Sequence, residues 1–187
     1  MIESCTAPTI SPKEILPGDK VFHLKNFQDK FIFSIKRFVA FVGGWGTGKD
    51  MACIARGMDQ SQKYARNNGL IARAQFTDLR DSTVRDFEDY TGLKVNSERN
   101  VKLSNGSLIM FRHLEELTEA NLNNMNLGWF CLIQADEIKS GSPFLKLSGR
   151  LRRCYGCGFK PDKGEKCFCY QTGFLSANAN GEDWICE

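Results

Sequence analysis

Residues 39–53, VAFVGGWGTGKDMAC, contain the feature that most constrains the fold of this chain. An apolar run leads into four glycines within six positions, and Lys49 follows the last of them. Glycines let successive backbone amides converge on a phosphate, and a lysine at this position reaches its outer oxygens. The pattern Gly43-x4-Gly48-Lys49 therefore predicts a phosphate-binding loop between a strand and a helix. A glycine-rich turn with a purely structural role is the alternative.

Asp50 stands where such a loop usually carries Ser or Thr. That hydroxyl normally binds Mg²⁺, and a carboxylate is also a hard oxygen ligand, although it adds negative charge beside a triphosphate. We therefore expect Asp50 to be a Mg²⁺ ligand in a site that depends more on metal or binds nucleotide more weakly. The predicted nucleotide-binding residues of the loop are Gly43, Gly44, Trp45, Gly46, Thr47, Gly48, Lys49 and Asp50.

Composition and charge are those of an ordinary soluble domain. The 187 residues are 42% hydrophobic and 25% charged, and 25 basic residues against 22 acidic ones leave a net charge of +3. This charge is too small to indicate a nucleic-acid binder by composition alone. The first ten residues lack the basic flank and apolar core of a signal peptide, and no apolar stretch is long enough to span a membrane. We expect a cytoplasmic protein without a membrane partner.

The chain alternates strand-like and helix-like segments from residue 36 onward. Residues 37–42 form a buried-strand pattern, a helix follows Gly48, and LIARA is a short strand. A helix is expected from Asp78 to Gly92, a hairpin turns at Asn105-Gly106, and a polar helix covers 114–124. GWFCLIQADEI and QTGFLSANAN then read as two more strands. This order predicts an α/β fold with a mainly parallel central sheet flanked by helices.

Two adjacent acids, Asp136 and Glu137, end the apolar strand CLIQADEI. An acidic pair in this position, downstream of a phosphate loop, is typical of a Walker B element. Asp136 would hold Mg²⁺, and Glu137 would orient and deprotonate a water molecule. Because neighbours on a strand point opposite ways, one acid can face the metal and the other the γ-phosphate. A solvated loop start or a helix cap is the alternative.

Small polar residues end the last strand, at LSAN, residues 175–178. An amide such as Asn178 can hydrogen-bond the γ-phosphate or the attacking water and register the loss of the phosphate after hydrolysis. Ser and Asn are common at the ends of strands, so this segment alone is weak evidence for a nucleotide site. It supports one because it follows the glycine-rich loop and the acidic pair along the chain.

The cysteines are partly clustered. Cys154-x2-Cys157-x9-Cys167-x-Cys169 places four thiols on a segment rich in Gly and Lys, and this set predicts a tetrahedral zinc site. Free thiols in an insertion are the alternative. The other four cysteines are scattered along the chain.

Six segments follow one another along the chain: GGWGTGKD, LIARAQFTDLRDSTVRDF, SNGSLIMFRHL, CLIQADEI, SGRLRR and LSANANGEDWI. Together they resemble the ATPase domain of a tailed-phage terminase large subunit, and the resemblance covers residues 27–186. The resemblance implies an ATP-driven motor, in the host cell cytosol, that moves double-stranded DNA into a procapsid as a homo-oligomeric ring. It also implies portal, procapsid and small terminase subunit as partners, and ATP with Mg²⁺ as cofactors. By position, 43–50 become Walker A, Asp136 and Glu137 Walker B, and 176–178 the coupling motif.

The resemblance also assigns residues outside these motifs. Gln28 falls where the family has an adenine-recognising glutamine, and a surface amide is an equal alternative. Trp45 stands where the family often has a basic residue that acts as an arginine finger. Arg150, with Arg152 and Arg153, is therefore a candidate for a finger supplied by a neighbouring subunit or for a DNA contact, and a basic helix end is the alternative.

The sequence thus predicts a P-loop NTPase domain of the additional-strand type with a Cys-rich, zinc-binding loop insertion. Its expected organisation is an irregular arm over 1–20 and an ATPase domain over 21–187 that contains the insertion at 153–170. The nuclease domain that the family carries is not expected in this chain. The rival interpretation is a non-hydrolysing, zinc-containing DNA-binding or assembly module with a degenerate phosphate loop.

Overall fold

Residues 23–152, 171–179 and 185 are described by the structure, a computed structural model of the chain. The predicted N-terminal arm, the Cys-rich segment with Arg153, and the end of the chain apart from Ile185 lie outside the described residues. Among the described ranges, no helix has both the length and the apolar character needed to cross a membrane.

The strands form one six-stranded sheet in the order β1-β6-β5-β2-β4-β3, in which β3 alone is antiparallel to its neighbour. The strands are Phe38–Val42 (β1), Asn68–Arg73 (β2), Asn100–Lys102 (β3), Leu108–His113 (β4), Trp129–Leu132 (β5) and Thr172–Ala177 (β6). The mainly parallel sheet and the hairpin between β3 and β4 confirm the sequence prediction. Gly106 adopts φ 83° in the hairpin turn, a conformation that favours glycine.

The helices are Asn26–Ile32 (α1), Lys49–Lys63 (α2), Phe76–Asp78 (α3), Arg85–Thr91 (α4), Glu119–Asn123 (α5) and Ser142–Ser148 (α6). A π-helical stretch, Leu79–Val84, joins α3 to α4, and Gly92 ends this segment with φ 72°. The predicted helix is therefore present, but it begins at Phe76 rather than at Asp78. Two 3₁₀ turns, Leu114–Glu116 and Ala135–Glu137, complete the described elements.

Apolar residues cover both faces of the sheet, as expected for parallel strands between helices. Along β5, Trp129 and Cys131 belong to the cluster that α1, α2 and α4 cover, while Phe130 and Leu132 belong to the cluster covered by α5 and α6. Alternate residues of one strand thus supply two separate cores.

Trp129 fills the space between α2 and the sheet. Its ring is fully buried, stacks on Phe174 of β6 at 5.6 Å, and donates from Nε1 to Ser61 Oγ of α2 at 3.0 Å. Gly69, its partner across the strands, leaves the space that the indole occupies, since a Cβ there would lie 2.0 Å from the ring. A Cβ on Gly57 of α2 would likewise lie 2.6 Å from this ring. This packing sets the distance between the sheet and α2, the helix that begins at the glycine-rich loop.

The first strand differs from its prediction. Residues 37–42 were predicted to form a buried strand, but β1 lies at an edge of the described sheet, and its residues alternate between exposed and half-buried. Phe38 remains 42% exposed. An apolar run alone does not distinguish a central strand from an edge strand, because both need one buried face.

Candidate functional site

The glycine-rich loop joins β1 to α2, at the carboxyl edge of the parallel strands. Gly46 and Gly48 have φ 72° and 73°, in the left-handed region that glycine occupies without strain. Gly43 N–H donates to the carbonyl of Ala177 at 3.1 Å and ties the start of the loop to the end of β6. A Cβ at Gly44 or Gly46 would meet nothing within 4 Å, so the loop backbone borders open space.

Lys49, the first residue of α2, is only 5% exposed. Its Nζ lies 5.6 Å from the ring centroid of Trp45, which is 80% exposed at the tip of the loop. None of the ion pairs found among the described residues includes Lys49. A buried ammonium that has an aromatic face but no carboxylate is suited to an anionic ligand.

Gln28 of α1 lies against the back of the loop. Its Nε2 donates to the carbonyl of Thr47 at 3.1 Å, and its Oε1 accepts from Lys25 N–H at 2.9 Å. A Cβ on Gly48 would come within 2.6 Å of the same amide. The side chain is 5% exposed, so it is not the surface amide considered as an alternative. It supports the loop, and its role towards adenine stays a prediction.

Asp50, one residue into α2, is held by neutral donors. Ser176 donates from Oγ to Asp50 Oδ1 at 2.7 Å, and Gln134 donates from Nε2 to Oδ2 at 3.5 Å. Burial and the nearby Asp50 carboxylate raise the pKa of Asp86 on α4. Acidic groups therefore gather on this side of the loop, and a cation between the loop and β6 would offset their charge.

Asp136 contacts the end of the same strand. Its Oδ1 accepts from Asn178 N–H at 2.9 Å, and its Oδ2 accepts from Asn178 Nδ2 at 2.8 Å. Ser176 and Asn178 are two residues apart at the end of β6, so β6 brings Asp50 and Asp136 to one side of the sheet edge. Within the described residues, the buried Asn178 Oδ1 has no hydrogen-bond donor. It is an acceptor available to a water molecule or a ligand.

Glu137 is paired with Arg73, the last residue of β2. Arg73 Nη2 donates to Glu137 Oε1 at 2.9 Å, and its Nε donates to Oε2 at 3.3 Å. Arg73 is 6% exposed, and its Nη1 donates to the carbonyl of Asp78 at 3.3 Å. No motif in the sequence points to Arg73. The available signal was a charged residue that ends an otherwise apolar strand, LIAR.

The two acids do not extend β5. The strand ends at Leu132, Gln134 adopts a left-handed φ of 51°, and Ala135–Glu137 form a 3₁₀ turn. Contrary to the sequence prediction, the side-chain directions of Asp136 and Glu137 are therefore not set by the alternation of a strand. The turn instead lets Asp136 face β6 while Glu137 reaches Arg73 on β2, so the two acids still have separate partners.

Arg150 lies away from this site. It follows α6, and its Nη2 donates to Asn123 Oδ1 of α5 at 2.6 Å. Its carbonyl accepts from Leu127 N–H at 3.0 Å, just before β5 begins. Arg150 therefore lies at the amino edge of the parallel strands, opposite the phosphate-loop edge, and the structure does not bring it to its own chain's Lys49.

The predicted zinc ligands Cys154, Cys157, Cys167 and Cys169 lie outside the described residues. Among the residues that the structure does describe, no group of three or more His, Cys, Asp or Glu side chains could hold a metal ion. Cys53 and Cys131 are free thiols buried in the core, and burial and the adjacent Cys53 raise the pKa of Cys131 well above its usual range.

The side chains present fit a Mg²⁺–nucleotide. Mg²⁺ prefers carboxylate oxygens and commonly takes only one or two from the protein, with phosphates and waters completing its shell. Asp50 and Asp136 offer two carboxylates, both held by residues at the end of β6. Buried Lys49 and the open loop backbone fit the phosphates. The donor set thus suits a phosphate-bound cation better than a metal held by protein ligands alone.

Comparison with known proteins gave matches by structure. The sequence matches no protein-family model, and comparison with curated proteins gave no significant match. The fold is similar to the large terminase of bacteriophage HK97, with a TM-score of 0.61 and 8% identity, covering 87% of this chain and 35% of that one. It is also similar to the large terminase of a thermophilic bacteriophage in complex with ADP.

For the complex with ADP, the TM-score is 0.54 and the identity 14%, and the match covers 82% of this chain and 38% of that one. A further structure of the same thermophilic phage's terminase matches with a TM-score of 0.52, 11% identity and coverage of 82% and 37%. The chain spans little more than a third of the length of these terminases. At such identities the likeness concerns the fold, and the chain shares its fold with a part of these phage large terminases.

Proposed function

We propose that this chain is an ATP-hydrolysing motor domain of a terminase large subunit, which powers translocation of double-stranded viral DNA into a procapsid. The observation that carries the proposal is Lys49, a buried ammonium without an ion pair in the described chain, beside a loop bordered by open space. The fold shared with phage terminases, one of them solved with ADP, supports it.

The strand order supports the proposed additional-strand P-loop class. β6 lies between β1, which leads into the phosphate loop, and β5, which leads to the acids. This arrangement sets the end of β6 between the phosphate-binding and the acidic halves of the site. Ser176 and Asn178 are therefore placed to sense what both halves bind.

Phosphate binding falls to the loop. The amides of residues 43–48 and the start of α2 provide positive potential, and Lys49 would contact the β- and γ-phosphate oxygens. Asp50 and Asp136 would hold Mg²⁺, which when bound neutralises charge on the phosphates. Ser176 and Asn178 already hold both carboxylates at one edge of the sheet, from which Asp50 would turn towards the metal.

Glu137 is the proposed catalytic base, and Asn178 would help to place the water through its free amide oxygen. In the structure, both oxygens of Glu137 accept hydrogen bonds from Arg73. Glu137 must therefore leave Arg73 to take a proton from water. Its side chain is 31% exposed, so it has room to turn.

Arg150 is proposed to act on a neighbouring copy. Its position at the amino edge of the sheet excludes contact with its own loop without a large movement, whereas a ring of subunits would present it to another chain. DNA, the portal or procapsid, and a small terminase subunit are the further partners of such a ring. Slow turnover by the isolated chain is the expected consequence if the finger comes from a neighbour.

ATP turnover with a matched pair of variants tests this function. Glu137→Gln should keep Mg-ATP binding and lower turnover about 100-fold or more, because it removes the base and leaves Asp136 for metal. Glu119→Gln, an exposed residue of α5, should turn over like the unaltered chain. Equal turnover by both variants would reassign the base. Binding with no turnover in any form, even at high protein concentration and with DNA, would favour the non-hydrolysing module.

A further inference from the structure

Gln134 occupies an unusual backbone conformation between β5 and the acidic turn. It is one of three non-glycine residues with positive φ in the described chain, at φ 51° and ψ 57°. Such a conformation is strained for a side chain with a Cβ and persists where surrounding contacts hold it. Four polar contacts hold Gln134 in the described chain. Its carbonyl accepts from Glu137 N–H at 3.0 Å within the turn, and the other three contacts lead to Asp50 and Arg73.

Two of these contacts join Gln134 to Asp50. The side-chain Nε2 donates directly to Asp50 Oδ2 at 3.5 Å. The backbone N–H donates to Ser176 Oγ at 3.0 Å, and this hydroxyl donates to Asp50 Oδ1 at 2.7 Å. Both oxygens of the Asp50 carboxylate therefore depend on the position of Gln134, one directly and one through Ser176.

The third contact joins Gln134 to the proposed base. Its side-chain Oε1 accepts from Arg73 Nη2, the same nitrogen that donates to Glu137 Oε1. A primary amide donates at one end and accepts at the other, so one side chain can link a carboxylate to a guanidinium. Gln134 thus connects Asp50 of the phosphate loop to the Arg73–Glu137 pair.

We propose that Gln134 is a positioning residue that couples metal loading at Asp50 to the orientation of Glu137 through Arg73. This proposal rests on the proposed function and deepens it. When Asp50 turns towards Mg²⁺, the amide of Gln134 loses its acceptor. The hydrogen bond that fixes the Arg73 guanidinium against Glu137 is then free to rearrange, and Glu137 is released towards water only when metal and nucleotide are bound.

The hydrogen bond from Gln134 competes with metal for Asp50, which gives a readout independent of turnover. Gln134→Asn keeps a residue that accepts left-handed φ but shortens the side chain by one methylene, so the amide no longer spans both partners. Gln134→Leu removes both hydrogen-bonding ends. In both variants, the Mg²⁺ concentration that half-saturates binding of a fluorescent ATP analogue should fall about threefold to tenfold, the effect of one lost hydrogen bond.

A double-mutant cycle with Asp50→Ala tests whether the effect passes through Asp50. In that background, Gln134→Asn should leave the Mg²⁺ half-saturation unchanged, because the carboxylate that it competes for is gone. Thermal unfolding of Gln134→Asn should stay like that of the unaltered chain, so that the shift in Mg²⁺ half-saturation does not come from a loss of folding.

The outcomes separate the two proposals. Magnesium-dependent nucleotide binding with the same half-saturation in the unaltered chain and both Gln134 variants would overturn the coupling and leave the ATPase assignment intact. An equal shift with and without the Asp50 carboxylate would also overturn it, because Gln134 would then act by another route. Failure of the unaltered chain to bind Mg²⁺–nucleotide at all would overturn both.

Discussion

Asp50 shows how one substitution changes the electrostatics of a phosphate loop. Its carboxylate accepts hydrogen bonds from the neutral side chains of Ser176 and Gln134. Burial is the main cause of the raised pKa of Asp86, and the charge of Asp50 is the second cause. A hydroxyl at this position would bring no charge. We therefore expect this site to depend more strongly on a cation than a site with Ser or Thr at position 50. Replacement of Asp50 should have its largest effect on the Mg²⁺ dependence of nucleotide binding.

Replacement of Asp50 gives a prediction for this residue. Asp50→Ala should raise the Mg²⁺ concentration required for nucleotide binding about tenfold, because a charged oxygen ligand is lost, whereas Asp50→Ser should retain much of the affinity. The measurement is a magnesium titration of nucleotide binding, with Asp29→Ala, at an exposed position of α1, as the control. A titration of Asp50→Ala that overlays the unaltered chain would show that Asp50 acts only as a charge at the start of α2.

The sequence predicted the loop, the acidic pair and the polar end of β6, because each has a recognisable local pattern. Arg73 and Gln134 were not predicted. Their partners lie on other strands, and the contacts exist because β2 is beside β5 and β5 is beside β6. A short sequence motif does not show which strands become neighbours in the sheet. Side chains that connect two motifs on different strands therefore cannot be predicted from either motif alone.

Among the elements, helices and strands with strong local signals formed where expected, and their details depended on tertiary contacts. The hairpin turn and α2 follow their glycines. The π-helical stretch Leu79–Val84 and the 3₁₀ turn that carries the acids have no comparable sequence signal. Regular helix and strand periodicities do not predict the insertion or loss of one residue in a turn.

Packing of α2 on the sheet gives a prediction at this scale. Gly69→Ala should destabilise the chain by about 1–3 kcal/mol, because its Cβ would lie 2.0 Å from the buried Trp129 ring and either strand or ring must shift. Gly149→Ala, at φ −67° and with its nearest neighbour 3.4 Å away, is the matched control and should be nearly neutral. Urea unfolding measures both. Equal midpoints would mean that the Trp129 site tolerates a methyl group without loss.

For the whole molecule, the parallel sheet with helices on both faces was predictable from the alternation of strands and helices. The strand order was not, since β6 comes last among the described strands yet pairs between β1 and β5. That insertion creates the site, because it sets Ser176 and Asn178 between the loop and the acids. The fold likeness to phage terminases covers little more than a third of their chains, so motor action in a full assembly remains a proposal.

The Cys-rich segment provides the prediction for metal in the whole chain. Four thiols at Cys154, Cys157, Cys167 and Cys169 should bind about one zinc per chain, because this number of thiolates satisfies tetrahedral zinc. Elemental analysis of protein purified without chelator measures it. Changing Cys154 and Cys157 to Ser should remove the metal, whereas Cys5→Ser should retain it. Zinc near zero in the unaltered chain would leave free thiols as the interpretation.

Nucleotide binding by residues 43–49 is tested by calorimetric titration of the chain with Mg-ATP, compared with Lys49→Ala. The unaltered chain should bind, and Lys49→Ala should lose about tenfold to 100-fold in affinity, because it removes the buried ammonium that is proposed to contact the phosphates. Lys63→Ala, at the other end of α2, should bind like the unaltered chain. An affinity that is the same in all three proteins would contradict the assignment of residues 43–49 as a phosphate-binding loop.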